Sequence, residues 1–102
     1  MTDPRESAQE TALDSDAVTT IAARLDAMDR SRRWTRAALR LIAAHEGIEA
    51  AELAKRLDRD LLRLKTDVRR LNALRLTERL AVGYGITPRG CAFLEAEAAA
   101  RS

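Results

Sequence analysis

Aromatic side chains are nearly missing from this chain of 102 residues, which holds one Trp, one Tyr and one Phe. A core must therefore be assembled from Leu, Ile, Val and Ala, and the length suits one domain with a modest core. A single cysteine, Cys91, excludes an internal disulfide, in keeping with a reducing compartment. No run approaches the roughly 18 apolar residues that a membrane helix needs. The opening MTDPRESAQE has neither the basic start nor the apolar centre of a signal peptide. These absences predict a cytoplasmic protein without a membrane segment. Catalytic signatures are missing as well: no Gly-rich phosphate loop, no paired metal ligands, and no Ser or Cys nucleophile beside an oriented base. His45 and Cys91 are too far apart in sequence to suggest a shared metal. The expectation is a protein with no enzyme activity, no cofactor and no metal, in which Cys91 is a small buried apolar residue.

What is present is charge, unevenly placed. Hydrophobic residues make up 46% of the chain and charged residues 33%, ordinary for a globular domain. The net charge of +2 hides a split: residues 1–16 hold five acids and one base, and residues 17–102 hold seventeen bases and eleven acids. An acidic tail thus precedes a basic domain, which admits an anionic partner without requiring one.

Periodicity divides the rest. Residues 1–14 are polar and lack a repeat, so a disordered acidic tail is expected ahead of a single domain over 15–102. A first helix is predicted over 16–29, with Val18, Ile21, Ala22, Leu25 and Met28 along one side and Ser15 or Asp16 as cap. A second begins after Ser31, a possible cap, and stops near Gly47. It places Trp34, Ala38, Leu41, Ile42 and His45 on one face and Arg32, Arg33, Arg36 and Arg40 on much of the remainder. A short third helix turns Ala51, Leu53, Ala54 and Leu57 inward. Asp58 suits a turn, and Asp60 can cap a fourth helix over 60–74. There Leu61, Leu64, Val68 and Leu71 share one face, with Leu62, Arg63, Thr66, Arg69 and Arg70 opposite and Lys65 at the flank. Asp67 could pair with Arg63. LTERLAV and YGIT read as a two-stranded hairpin. Thr87 and Pro88 then start a last helix over 88–100 that buries Phe93 and Leu94.

The order is helix, short helix, tight turn, helix, hairpin, helix. With the segments ELAKRLDRDLLRLKTDVRRLNALRLTERL and YGITPRGCAFLE, it resembles the winged helix-turn-helix family, as in MarR-like and DtxR-like bacterial regulators. The resemblance covers about Arg33 to Glu95, and Leu53, Ala54, Leu57, Asp60, Leu64, Val68, Leu71, Leu74 and Leu76 fall at the family's spacing without a gap. It implies a mainly α fold with a small β-hairpin, a winged core over 31–87, and extra N- and C-terminal helices. The family usually has Gly and then an apolar residue in the turn; Asp58 and Arg59 stand there instead, so Arg59 is expected to leave the core.

The resemblance also implies a function: sequence-specific binding of double-stranded DNA by a small transcriptional regulator, with helix 60–74 in the major groove. The implied contacts are Arg63, Lys65, Thr66, Arg69 and Arg70 on that helix, Arg79 on the wing, and Arg36 and Arg40 as phosphate ligands. Leu62 on the same face could touch a thymine methyl or belong to a protein interface. The alternative is a winged-helix protein–protein interaction module within a larger complex. A domain this small has limited room to bury the stripes of both terminal helices, so a homodimer through those helices is expected.

Overall fold

A computed structural model describes residues 13–30 and 33–101. The expected N-terminal tail up to residue 12, the Ser31 cap and Arg32 lie outside the described residues. The described chain is mainly helical with one small antiparallel hairpin: α1 (Ser15–Asp29), α2 (Thr35–Ala44), α3 (Ala50–Leu57), α4 (Leu61–Ala73), β1 (Thr77–Arg79), β2 (Tyr84–Ile86) and α5 (Pro88–Arg101).

Local chemistry sets the boundaries. Helix α1 is capped by Asp14, whose Oδ1 accepts from Ala17 N at 2.7 Å, rather than by Ser15 or Asp16. Helix α2 has no cap of its own in the usual place. Asp29, at the end of α1, reaches across the joint instead. Its Oδ1 accepts from the backbone N–H groups of Trp34 and Thr35, each at 2.9 Å, and its Oδ2 from the Thr35 hydroxyl at 2.9 Å. This buried carboxylate satisfies donors that a helix start otherwise leaves open, and it joins two helices at a fixed angle.

At the next joint Asp58 takes the left-handed conformation (φ 52°), and Asp60 caps α4 by accepting from Arg63 N at 3.1 Å. Helix α4 ends on Arg75 (φ 63°), where Leu76 N donates back to Leu71 O at 3.1 Å. That bond pattern usually takes Gly at the left-handed position. The hairpin pairs Thr77 with Ile86, Glu78 with Gly85 and Arg79 with Tyr84. On the other side of β2, Ile48 adds a bridge: Tyr84 N donates to Ile48 O at 2.9 Å, and Gly47 N donates to Tyr84 O at 2.8 Å. The approach needs Gly83 (φ 71°), because a Cβ there would stand 2.2 Å from Gly47 O. Thr87 starts α5 as expected, accepting from Gly90 N at 2.9 Å.

Two apolar clusters hold these elements. One gathers Ile21, Leu25, Trp34, Leu39, Leu71, Leu76 and Phe93; the other gathers Ile42, Ile48, Leu53, Ala54, Leu64 and Val68. Leu57 and Ile86 pack against both. Each fully buried Leu contributes about 2–3 kcal/mol relative to exposure, so α1 and α5 are structural parts of the core. One copy has room for much of both stripes: Ile21, Leu25 and Phe93 are buried within it.

Other inward assignments need correction. Ala51 and His45 face solvent, and Leu61 is 38% exposed at the first turn of α4. Leu39, not foreseen as inward, is fully buried, and Cys91 is only half-buried. Arg59 turns in rather than out. It lies over the Trp34 ring and donates to Asp67, so Asp67 pairs with Arg59 and not with Arg63. The physical reason is that the joint offers the guanidinium both an aromatic face and a counterion, which together offset partial burial. Among the described residues, no helix is long and apolar enough to cross a membrane.

Candidate nucleic-acid interface

The site is built on α4. Leu64, Val68 and Leu71 are fully buried and fix the helix to the core by one face. The opposite face is thereby committed to solvent, and Leu62, Arg63, Lys65, Thr66, Arg69 and Arg70 are all exposed there. At about 1.5 Å per residue the exposed set from Leu62 to Arg70 runs for roughly 12 Å along the helix. The cap at Asp60 begins the helix just ahead of these residues.

A cleft lies on each side. On the hairpin side, Lys65 and Arg69 of α4 and Arg79 of β1 line a cleft of about 420 Å³, together with Glu49 at the start of α3 and Tyr84. The hairpin thus brings a third cation beside two from the helix. Val82, 61% exposed, stands at the turn of the hairpin on the same cleft. On the other side, Leu62, Arg63, Thr66 and Arg70 border a second cleft with Arg30 and Arg59. Among the described residues, Arg63, Lys65, Arg69, Arg70 and Arg79 carry no ion pair, whereas Arg36, Arg56 and Arg59 do. Five unpaired cations therefore share the α4 face and its border with the hairpin. The Thr66 hydroxyl donates to Leu62 O at 3.2 Å, so it keeps its acceptor capacity.

The two α2 residues are placed differently. Arg36 is built into the joint of three helices. Its Nε and Nη2 bond the two carboxylate oxygens of Glu97 on α5 at 3.1 and 3.0 Å, and its Nη1 bonds Asp26 at 2.8 Å and Asp29 at 3.3 Å. The hydrogen bond to Glu97, then the attraction of Glu97 and Asp26, holds its pKa above the ordinary arginine value against the opposing effect of burial. Its guanidinium is also over the Phe93 ring at 5.8 Å. No acid stands near it in sequence within its own helix; the three carboxylates arrive from α1 and α5. Arg40, one turn further on, is exposed but lines neither cleft beside α4.

Sequence reading missed three members of this region. Arg30 and Arg59 border the second cleft, and Glu49 the first. The Asp67 pairing of Arg59 had no local signal, since the partners are joined across a turn. Among the described residues, no group of three or more His, Cys, Asp or Glu is placed to hold a metal ion. Comparison with known proteins finds no family model, no curated protein and no solved structure that matches the chain.

Proposed function

We propose that the protein is a winged helix-turn-helix DNA-binding protein, a small transcriptional regulator without catalytic activity, in which α4 enters the major groove of duplex DNA and the hairpin follows the phosphates as a wing. The observation that carries the reading is the division of α4: one face wholly buried through Leu64, Val68 and Leu71, the other presenting four cations that have no ion pair among the described residues, with Arg79 beside them. The major groove admits a helix of this size, and Arg can bond both acceptors of guanine there. Arg36 has no part in the contact, because its donors are held by carboxylates. Arg40 contributes at most a distant phosphate contact.

A two-fold pair through α1 and α5 belongs to the same proposal, since it would set two α4 helices about one DNA turn, ~34 Å, apart. That contact has to use the parts of the terminal helices left open, where Val18 and Leu94 are only partly covered.

The test is a titration of the intact chain with random duplex DNA across a salt series, followed by selection of bound sequences. Binding should weaken with salt by about −0.9 in log K per log salt for each phosphate neutralised, and selection should enrich one sequence. Absence of binding at low salt retires the reading. The second reading, a protein-interaction module, is favoured by Leu62, which is 75% exposed. Leu62→Glu would abolish a protein complex, whereas DNA affinity without a protein partner would speak against that reading.

A further inference from the structure

We propose that the cleft between the end of α1 and α4 is a phosphate-binding site, filled on DNA by a backbone phosphate beside the groove that α4 reads. The cleft, about 390 Å³, is bordered by Arg30, Arg59, Arg63 and Arg70, with Thr66 in its wall. Asp67 is the only carboxylate among its lining residues, and it already accepts from Arg59 Nη2. Among the described residues that line the cleft, four arginines thus stand with one carboxylate.

A solvated helix face does not account for Arg59. The residue comes from the α3–α4 turn, not from α4, and its side chain is 19% exposed. It is held between the Trp34 ring, 4.5 Å away, and Asp67. Such a guanidinium loses little freedom when it takes a ligand. Its Nε is buried and has no hydrogen-bond partner among the described residues, although buried donors are ordinarily satisfied. Arg30, the residue that closes α1, also lines the cleft. Cations from three separate chain segments thus converge on one concave space.

Phosphate is the anion this geometry suits. Planar guanidinium forks match its oxygens, and several can share one tetrahedral group. The cleft is also continuous with the α4 face through Arg63, Thr66 and Arg70. A DNA strand held by that face would bring phosphates along its border. The source of the phosphate rests on the DNA-binding reading; the site itself does not.

The test follows the arginine Nε–H signals of the full-length protein by nuclear magnetic resonance while pyrophosphate, and separately random duplex DNA, is added. In parallel, the salt dependence of DNA binding is measured for the wild type, for Arg30→Gln, and for Arg56→Gln, a cation paired with Glu52 outside the cleft. The expected result is movement of the Arg30 and Arg59 signals with DNA, and a salt slope that falls by about 0.9 in Arg30→Gln but not in Arg56→Gln. DNA binding with unmoved Arg30 and Arg59 signals and an unchanged slope overturns the site and leaves the DNA reading standing. Signals that move with pyrophosphate while DNA does not bind retire the DNA reading and keep the site, with phosphate from another source. Signals that move on DNA while the Arg30→Gln slope stays at the wild-type value overturn the backbone phosphate as occupant. If neither titrant moves them, the site is overturned.

Discussion

The Arg59 guanidinium lies over the indole of Trp34, its central carbon 4.5 Å from the ring centroid, while one of its amino groups bonds Asp67. One side chain in the turn between α3 and α4 thereby links the start of α2 to the middle of α4. Replacing it with Ala removes a cation–π contact worth about 0.5–2 kcal/mol and leaves Asp67 half-buried without its cation. A loss of roughly 2 kcal/mol in unfolding free energy is expected, measured by urea denaturation with the lone tryptophan as the fluorescent probe. Arg59→Lys should recover only part of it, because an ammonium cannot both fork to a carboxylate and cover a ring as a plane. An Ala variant as stable as the wild type would show that the contact does not support the joint.

Asp29 is the second joint to test. In Asp29→Ala two backbone N–H groups and a threonine hydroxyl lose their acceptor, and Arg36 loses one of its carboxylates. The expected cost is about 2–4 kcal/mol, read as a lower Tm. Asp29→Asn keeps an oxygen for the amides but not the charge, and should fall between the two. A chain beginning at Ser31 lacks Asp29, Ile21 and Leu25 together and should lose cooperative unfolding.

What could be read from the sequence was whatever repeats along it. The stripe Leu64, Val68, Leu71 and the exposed set opposite it follow from helical spacing alone, as does the hairpin from the shift in pattern after Leu74. The caps Asp60 and Thr87 stand next to the helices they serve, so their chemistry was legible too. What was illegible is made by residues that meet only after folding. Asp29 caps a helix it does not belong to. Arg36 looked like a free cation because no acid lies within its own helix, yet Asp26 and Glu97 come to it from two others. Ile48 belongs by sequence to the start of the third helix and instead stands ahead of it as a partner of Tyr84. Charge usually avoids burial, which sends Arg59 outward by sequence; the ring that helps reverse the balance comes from Trp34, far away in the chain, and the counterion Asp67 from the helix that follows.

Arg69 and Arg70 are exposed on α4 and unpaired among the described residues. Arg69→Ala and Arg70→Ala should leave stability within about 0.5 kcal/mol of the wild type. If either arginine reads a base, its loss should cost roughly 1–3 kcal/mol at the selected DNA site and relax selectivity there. Leu64→Ala, on the buried face, should do the reverse and destabilise the fold by about 2–5 kcal/mol. Full affinity and full selectivity in both arginine variants would place the reading surface elsewhere.

The two-fold pair predicts the mass of two chains in sedimentation at micromolar concentration. A one-chain mass would remove the pair and with it the expectation of a palindromic site, while leaving a single half-site to be bound.

Gly83→Ala should be costly for a reason unrelated to any apolar contact. The added Cβ would stand 2.2 Å from Gly47 O and 2.4 Å from Ile48 O, on a backbone with φ of 71°. The hairpin would have to withdraw from Ile48, at a cost of more than about 2 kcal/mol. Amide exchange checks this locally: the Tyr84 N–H, protected in the wild type by Ile48 O, should exchange faster in the variant.

The bond between Ile48 and Tyr84 has a consequence for behaviour at high concentration. It covers the inner margin of the hairpin, so only the outer margin of β1 can accept a foreign strand. That margin is three residues long and carries Glu78 and Arg79 exposed in its middle and at its end. Short, charged edges resist the strand-on-strand growth that leads to fibres. Crowded solutions of this protein should therefore remain free of β-sheet aggregates for as long as Ile48 stays docked, and become prone to them once it lets go.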